Sequence, residues 1–247
     1  MYKIIFSATG RCEKVADAFC SAFDTVEKID LSADCGSVKI KTDQLCLIAV
    51  PVYGGCVPSP ALENLAQIDG GGAQAIVMVV YGNRAYDGAL AQLKLAAQQA
   101  GFTVCGGVAA LAQHSLITDV AADRPDQQDV KQLKEFAHKV QTLAAEGKLN
   151  ADIKLPGTAP QKQTNLPVHP KATKDCAKCG LCAEKCPAKA IPMDNLQLTQ
   201  NNRCITCMRC VEICPNGARQ LMPKTMKIAG PIMKKVWGKH TENEFYL

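Results

Sequence analysis

The sequence lacks any long run of apolar residues, although 47% of its 247 residues are hydrophobic. No stretch approaches the roughly 18–20 apolar residues that a membrane-spanning helix needs, so we expect no transmembrane segment. The first ten residues lead directly into a strand-like pattern and show no secretory leader. We therefore expect a cytoplasmic protein, whose cysteines stay reduced or bind metal.

A nucleic-acid recognition motif is also missing, although the charge is unevenly distributed. Residues 1–147 hold 12 Lys and Arg against 16 Asp and Glu, a net charge of −4. Residues 148–247 hold 16 against 7, a net charge of +9. Without a motif, this basic excess does not indicate nucleic-acid binding. It indicates contact between the two halves, an acidic partner, or compensation of negative charge at a metal site.

Cysteine, by contrast, is abundant, and eight of the 14 cysteines fall in two runs. The runs are CAKCGLCAEKCP at 176–187 and CITCMRCVEICP at 204–215. Each reads C-x2-C-x2-C-x3-C-P, which supplies four soft thiolates of the kind that iron–sulfur clusters require. Zinc is the alternative, but zinc sites usually pair two C-x2-C units across a longer gap. Cysteines packed this regularly in a chain without a leader do not indicate structural disulfides.

The two runs resemble the bacterial-type ferredoxins that carry two 4Fe–4S clusters, and the resemblance covers about residues 172–222. In those proteins the fourth cysteine of each run binds the other cluster. The resemblance thus implies one cluster on Cys176, Cys179, Cys182 and Cys214. It implies the other on Cys204, Cys207, Cys210 and Cys186. Residues 188–203 are polar and turn-like, which fits a small hairpin between the runs.

Apolar and helical patterns alternate along residues 1–147. Runs typical of buried strands lie at 2–6, 45–50, 75–81 and 102–111. Helical patterns begin near Val15 and recur at about 60–68, about 85–100 and about 126–146. This alternation predicts an α/β fold with a doubly wound parallel sheet, in which ligands bind at the carboxyl ends of the strands. The loop SATGRC, residues 7–12, joins the first strand to a helix N-terminus, an arrangement typical both of phosphate sites and of ordinary helix caps.

The loops at these strand ends resemble those of flavodoxins fused to two-cluster ferredoxins. The resemblance covers nearly the whole chain and implies a flavodoxin-like domain that binds FMN. Around the phosphate it places Ser7, Thr9, Gly10, Arg11 and Cys12. Along one side of the isoalloxazine ring it places Pro51, Val52, Tyr53, Gly54 and Gly55. Along the other side it places Tyr81, Gly82, Asn83, Tyr86 and Asp87.

Cys12 departs from this pattern, since flavodoxins usually have threonine at the end of the phosphate loop. A thiol is a weak hydrogen-bond donor, and losing one bond to a charged group costs about 1.5–3 kcal/mol. We therefore expect looser FMN binding that still relies on the backbone amides. An alternative interpretation is a flavodoxin-like docking domain that holds no FMN.

The sequence predicts four regions. A flavodoxin-like domain covers 1–147, a proline-containing linker covers 148–173, a smaller α+β ferredoxin domain covers 174–222, and a basic tail covers 223–247. For the tail, a solvated or packed segment is favoured, and docking on an acidic partner or a membrane surface is the alternative.

Taken together, these features predict an intracellular electron-transfer protein that connects FMN, two 4Fe–4S clusters and redox partner proteins. Oxygen-sensitive clusters favour an anaerobic cell. We predict no catalytic residue, because no acid or base stands out beyond the flavin loops. The alternative is an FMN-dependent reductase of a quinone, a nitro compound or oxygen, supplied with electrons by the clusters.

Overall fold

The computed structural model describes residues 1–160, 166–221, 223–238 and 241–247. The strands are β1 (Tyr2–Ile5), β2 (Glu27–Asp30), β3 (Val38–Lys39), β4 (Leu45–Pro51), β5 (Ile68–Asp69), β6 (Gln74–Tyr81), β7 (Thr103–Leu111), β8 (Lys171–Ala172), β9 (Arg219–Gln220) and β10 (Glu244–Tyr246). The helices are α1 (Arg11–Cys20), α2 (Ser59–Leu65), α3 (Ala89–Gln99), α4 (Gln127–Ala145), α5 (Leu181–Glu184), α6 (Arg209–Glu212) and α7 (Pro223–Trp237).

A six-stranded sheet in the order β10-β7-β6-β4-β1-β2 forms the centre of the fold. Its first five strands along the chain are parallel, and counted within this sheet they run 2-1-3-4-5. This is the flavodoxin-like order, which has a topological switch point beside the first strand. The α/β sheet predicted from the alternating patterns is therefore confirmed.

Hydrophobic residues cover both faces of this sheet. Ile5 packs with Phe19 of α1 and Phe136 of α4 on one face, while Ile4 packs with Leu65 and Leu90 on the other. Strands β4, β6 and β7 are buried almost throughout, which explains why their sequences are continuous apolar runs rather than alternating ones. Because both faces are covered, the exposed ligand-binding positions lie at the carboxyl edge of the sheet.

Two strands of the sheet have no apolar run in the sequence. β2 is the edge strand EKID and is largely exposed, and β10 lies at the opposite edge, antiparallel to β7. The helix predicted from about 85 begins later, at Ala89, because Asp87 adopts a positive φ of 46° and the chain turns before the helix starts.

The cysteine-rich part is small and contains α5, α6 and the antiparallel pair β8–β9. The hairpin predicted in 188–203 is not formed. These residues make turns, and the backbone N–H of Gln200 donates to the carbonyl of Ala190 at 2.8 Å, closing a loop. The strand pair instead joins Ala172 to Arg219, residues that flank the two cysteine runs.

Both ends of the predicted linker 148–173 pack against neighbouring parts. Ile153 is buried with the core of the sheet domain, and Lys171 pairs with Gln220 in the cysteine-rich part. In the predicted tail 223–247 the chain forms α7, whose Ile232 and Val236 are exposed, and then returns as β10 to the first sheet. Within the described residues, none of the helices is both long and apolar enough to cross a membrane.

Candidate cofactor sites

A cavity of about 350 Å³ opens at the carboxyl edge of the sheet. Its walls come from four parts of the chain: the sheet loops, the segment 166–168, the second cysteine run through Thr206, and α7 through Met233 and Trp237. The cavity therefore lies where the flavodoxin-like sheet meets the cysteine-rich part. Ligands are expected at this edge in folds with this strand order.

Ten of the predicted FMN residues line this cavity. They are Thr9, Arg11, Cys12, Pro51, Val52, Tyr53, Gly54, Gly55, Tyr81 and Gly82. The remaining five lie around it and have other contacts.

Ser7 and Gly10 belong to the loop before α1, and the Ser7 hydroxyl accepts from the N–H of Glu13 at 3.1 Å. Asn83 donates to the carbonyl of Trp237 at 2.5 Å. Tyr86 donates to Glu244 of β10 at 2.7 Å. Asp87 is paired with Arg84.

The Arg11 side chain is suited to bind an anion. Its Nε donates to Gln113 at 3.1 Å, but its Nη1 is buried and has no hydrogen-bond partner within the described residues. A buried donor without a partner costs free energy, and a phosphate oxygen in the cavity would satisfy it. Cys12 is buried beside it, and burial raises the pKa of this thiol well above its usual value. Cys12 therefore stays protonated and neutral.

A tight turn presents the Tyr53 ring to the cavity. The N–H of Tyr53 donates to the carbonyl of Cys56 at 3.0 Å, and the reverse bond is 3.2 Å. Gly54 and Gly55 between them have φ values of 60° and 81°, which other residues adopt only with strain. At Gly55 a Cβ atom would also lie 2.3 Å from Asp87 Oδ2. The chain therefore needs glycine here to hold the tyrosine in place.

Sequence reasoning did not assign His114 and Trp237 to this site. Their rings stack at 5.5 Å with an interplanar angle of 19°, and both line the cavity. Close approach is possible because Gly82 has no Cβ, which would lie 2.7 Å from the His114 Cα. The position of His114 just after a strand was a usable signal, whereas nothing in the sequence places a residue of the tail here.

His114 is neutral at physiological pH. Burial lowers its pKa to about 4, and the nearby charges of Arg11 and Arg84 act in the same direction. Its Nδ1 accepts the backbone N–H groups of Leu116 and Ile117, each at 3.1 Å. The remaining ring nitrogen, Nε2, therefore carries the proton as a donor.

The eight cysteines of the two runs surround two further cavities. One is lined by Cys176, Cys179, Cys182 and Cys214, and the other by Cys186, Cys204, Cys207 and Cys210. We call them the first-run and second-run cavities, after the run that supplies three of the four thiols. Each contains one cysteine from the other run, as the resemblance to two-cluster ferredoxins implies.

The surroundings of these thiols suit cluster ligands. The N–H of Ala190 donates to Cys186 Sγ at 3.3 Å, and the N–H of Ala218 donates to Cys214 Sγ at 3.2 Å. Burial by itself would raise the pKa of Cys214, but backbone N–H groups, including that of Ala218, lower it overall. Such bonds stabilise a thiolate and tune a cluster.

The thiols of each set lie around a shared space. Among the described residues, no three His, Cys, Asp or Glu side chains are placed to hold one metal ion. Zinc would need sulfur ligands about 2.3 Å from one point. The choice of an iron–sulfur cluster over zinc rests on the spacing of the cysteines within each run.

Polar contacts join the second cysteine run to the flavodoxin-like sheet. Arg209 donates to the Ser32 hydroxyl at 3.0 Å and to the carbonyl of Ser7 at 3.4 Å. Arg11 of the phosphate loop lies 3.6 Å from the Glu212 carboxylate in α6. Thr206 lines both the large cavity and the second-run cavity. The two sites therefore share a wall.

Residues 162–219 match the family of 4Fe–4S dicluster domains. The chain joins this domain to a sheet of flavodoxin-like order, as in a flavodoxin–ferredoxin fusion. The predicted fold and the predicted 4Fe–4S domain are thereby confirmed. This combination supports an electron-transfer role.

Two of the solved structures similar to this chain are flavodoxins. A flavodoxin from Streptococcus pneumoniae TIGR4 is 17% identical, with 57% of this chain and 97% of that chain covered and a TM-score of 0.39. A short-chain flavodoxin associated with a non-canonical PDU bacterial microcompartment is also 17% identical, with 58% of this chain and 97% of that chain covered and a TM-score of 0.39.

Rubredoxin oxygen:oxidoreductase from Desulfovibrio gigas is also 17% identical, with a TM-score of 0.42, and the match covers 60% of this chain and 37% of that one. These scores are low, so the fold assignment relies on the strand order. The comparison with curated proteins found no match.

Proposed function

We propose that this protein is an electron carrier that connects FMN in the large cavity with two 4Fe–4S clusters on the eight cysteines, and the clusters with redox partner proteins. The observation that carries this proposal is the shared wall at Thr206 between the large cavity and the second-run cavity. Cofactors bound in these two cavities would be separated from each other by little more than one residue. FMN exchanges one or two electrons, and a cluster exchanges one.

The residues of the chain have separate tasks in this proposal. The N-terminus of α1 and Nη1 of Arg11 bind the phosphate; this Nη1 lies 3.6 Å from Glu212 and has no hydrogen-bond partner among the described residues. The ring of Tyr53 forms one wall, and Trp237 with His114 closes another. The neutral His114 adds no charge beside the flavin, and its Nε2–H is a donor that a flavin atom in the cavity can accept. The eight thiolates hold the clusters, one set beside the flavin cavity and one beyond it.

Such clusters are sensitive to oxygen, which fits the cytoplasm of an anaerobic cell. The net charge of +9 on residues 148–247 favours acidic redox partners.

Cofactor content of protein purified without oxygen tests the proposal. We expect about eight iron, about eight sulfide and one FMN per chain. Iron without flavin, even after FMN is added, would leave the docking-domain interpretation. Zinc in place of iron would contradict the cluster assignment. Rapid steady-state turnover of a quinone, a nitro compound or oxygen by the loaded protein would favour the reductase instead.

A further inference from the structure

Arg219 is the most unusual charged residue in the cysteine-rich part. Its side chain is only 2% exposed, and it lines the first-run cavity. Its hydrogen bonds go to neutral oxygens: the Thr199 hydroxyl at 2.7 Å, and the carbonyls of Leu196 at 2.5 Å, Pro170 at 3.3 Å and Leu198 at 3.5 Å. Within the part of the chain that the structure describes, it forms no ion pair and its Nε has no partner.

The internal repeat shows that this position does not require arginine. From its fourth cysteine onward the first run continues as CPAKAI and the second as CPNGAR. Ile191 and Arg219 therefore follow the fourth cysteine of their runs by the same interval. The local geometry is equivalent, since the N–H of the preceding alanine donates to that cysteine's sulfur in both. Ile191 is buried and lines the second-run cavity. One cavity thus has an apolar residue where the other has a cation.

A buried guanidinium with no carboxylate partner is costly unless another negative charge offsets it. Arg219 lines the first-run cavity and not the second-run cavity, so the thiolates and cluster of the first-run cavity provide most of that charge. Its positive charge also reaches Cys204 and Cys210 of the second-run set. A fixed positive charge stabilises the reduced cluster, which has one more negative charge, over the oxidised one. Reduction potential depends on net charge and on hydrogen bonds to the sulfurs, and Arg219 supplies both.

We propose that Arg219 raises the reduction potential of the first-run cluster relative to the second-run cluster, and that its Nε–H points to a sulfur of the first-run cluster. This inference rests on the proposed function for the presence of the clusters. With the higher potential, the first-run cluster is reduced before the second-run cluster. Cys179 of that cluster is exposed whereas Cys207 of the other is buried, so the electron would be held where a partner protein can reach it.

Redox titration followed by EPR tests the proposal on the holoprotein. Arg219→Met removes the charge with little change in volume, and Ile191→Met is the matched control at the equivalent position. We expect Arg219→Met to shift the first-run potential to more negative values and the second-run potential less. Ile191→Met removes no charge, so we expect it to shift the second-run potential by less than Arg219→Met shifts the first-run potential. A dysprosium chelate in solution assigns the signals, because it relaxes the exposed first-run cluster more strongly. Unchanged potentials, or a larger shift at the second-run cluster, would overturn the inference.

A second measurement covers the case in which Arg219→Met fails to assemble its clusters. Pulsed EPR of the reduced wild type, labelled with ¹⁵N only at the guanidinium nitrogens of arginine, is expected to show a nitrogen coupled to the first-run cluster. The coupling is expected to disappear in Arg219→Lys, which keeps a positive charge at the site. Absence of the coupling in the wild type would contradict the inference. A wild type without iron or FMN would instead contradict the proposed function, and cofactor analysis shows this before any titration.

Discussion

Cys12 lies in the phosphate loop and is buried against the large cavity. Because burial keeps its thiol protonated, it offers a phosphate only a weak donor. The sequence predicts a phosphate contact at this residue, since loop position and donor chemistry are local properties. It could not show that the Ser7 hydroxyl accepts a hydrogen bond from the backbone N–H of Glu13.

Serine at position 12 is expected to tighten FMN binding. Cys12→Ser replaces the thiol by a stronger donor of nearly the same size, and one added bond to a charged group contributes about 1.5–3 kcal/mol, or at least about a tenfold lower Kd. Fluorescence titration of FMN measures it. Cys20→Ser is the control, since Cys20 is buried in the same helix but does not line the cavity. An equal effect of both variants would argue against a phosphate contact at position 12.

His114 makes the stability of the fold dependent on pH. Burial lowers its pKa to about 4. Between pH 6.5 and 4, His114 therefore binds a proton in the unfolded chain but stays neutral in the folded protein. Stability is therefore lost as the pH falls from 6.5 towards 4, by about 1.5 kcal/mol between pH 6.5 and 5.

Denaturant unfolding of wild type and His114→Asn at these two pH values tests this dependence. Asparagine keeps an acceptor for the N–H groups of Leu116 and Ile117, so the variant is expected to lose less stability on acidification. The exposed His138 provides the control variant His138→Asn, which is expected to follow the wild type. Identical losses in all three proteins would show that His114 does not titrate in this way.

At the scale of elements, strands with continuous apolar runs were predictable and the edge strands were not. β4, β6 and β7 are buried on both faces, so their composition reflects their environment. β2 and β10 depend on pairing with a neighbour, which leaves little trace in a short polar segment. The role of α7 was equally hidden, because its contact with the cavity depends on the fold that brings Trp237 to His114.

Trp237 is expected to contribute to FMN binding from the end of α7. The carbonyl of Trp237 accepts from Asn83, and Lys234 of the same helix lies 3.2 Å from Asp119. Loss of an aromatic contact costs about 0.5–1.5 kcal/mol, so Trp237→Ala should weaken FMN binding by about two- to tenfold. Flavin titration measures the change. Val236, the neighbouring residue, is 61% exposed, so Val236→Ala should bind FMN as the wild type does. Trp237→Phe keeps an aromatic ring and should bind FMN with nearly the wild-type Kd. A wild-type Kd for FMN in Trp237→Ala would show that α7 does not contribute to the FMN site.

Across the whole molecule, the two cysteine cavities differ in their distance from the flavin site. The assignment of cysteines to two crossed sets was possible from the spacing and the family resemblance. Which set faces the sheet was not, because the repeat makes the runs nearly equivalent. The difference arises from long-range contacts, such as Arg209 with Ser32.

The matched variants Cys207→Ser and Cys179→Ser test this order. Each removes the second cysteine of its run. Flavin emission is quenched by a nearby cluster, so the emission lifetime should lengthen in Cys207→Ser and stay close to wild type in Cys179→Ser. Time-resolved fluorescence of the loaded proteins measures it. A longer lifetime only in Cys179→Ser would reverse the order.

The pairing of β10 with β7 has a consequence for how the ferredoxin part is held. Because the chain leaves the sheet domain after α4 and comes back to it at β10, the cluster domain is an insertion anchored at two points, not a pendant module. A single tether lets a module explore a wide volume, whereas two anchors restrict it to a narrow range of orientations. For the cofactors proposed above, the spacing is then set by chain connectivity, and we expect electron exchange inside the molecule not to depend on a diffusive encounter.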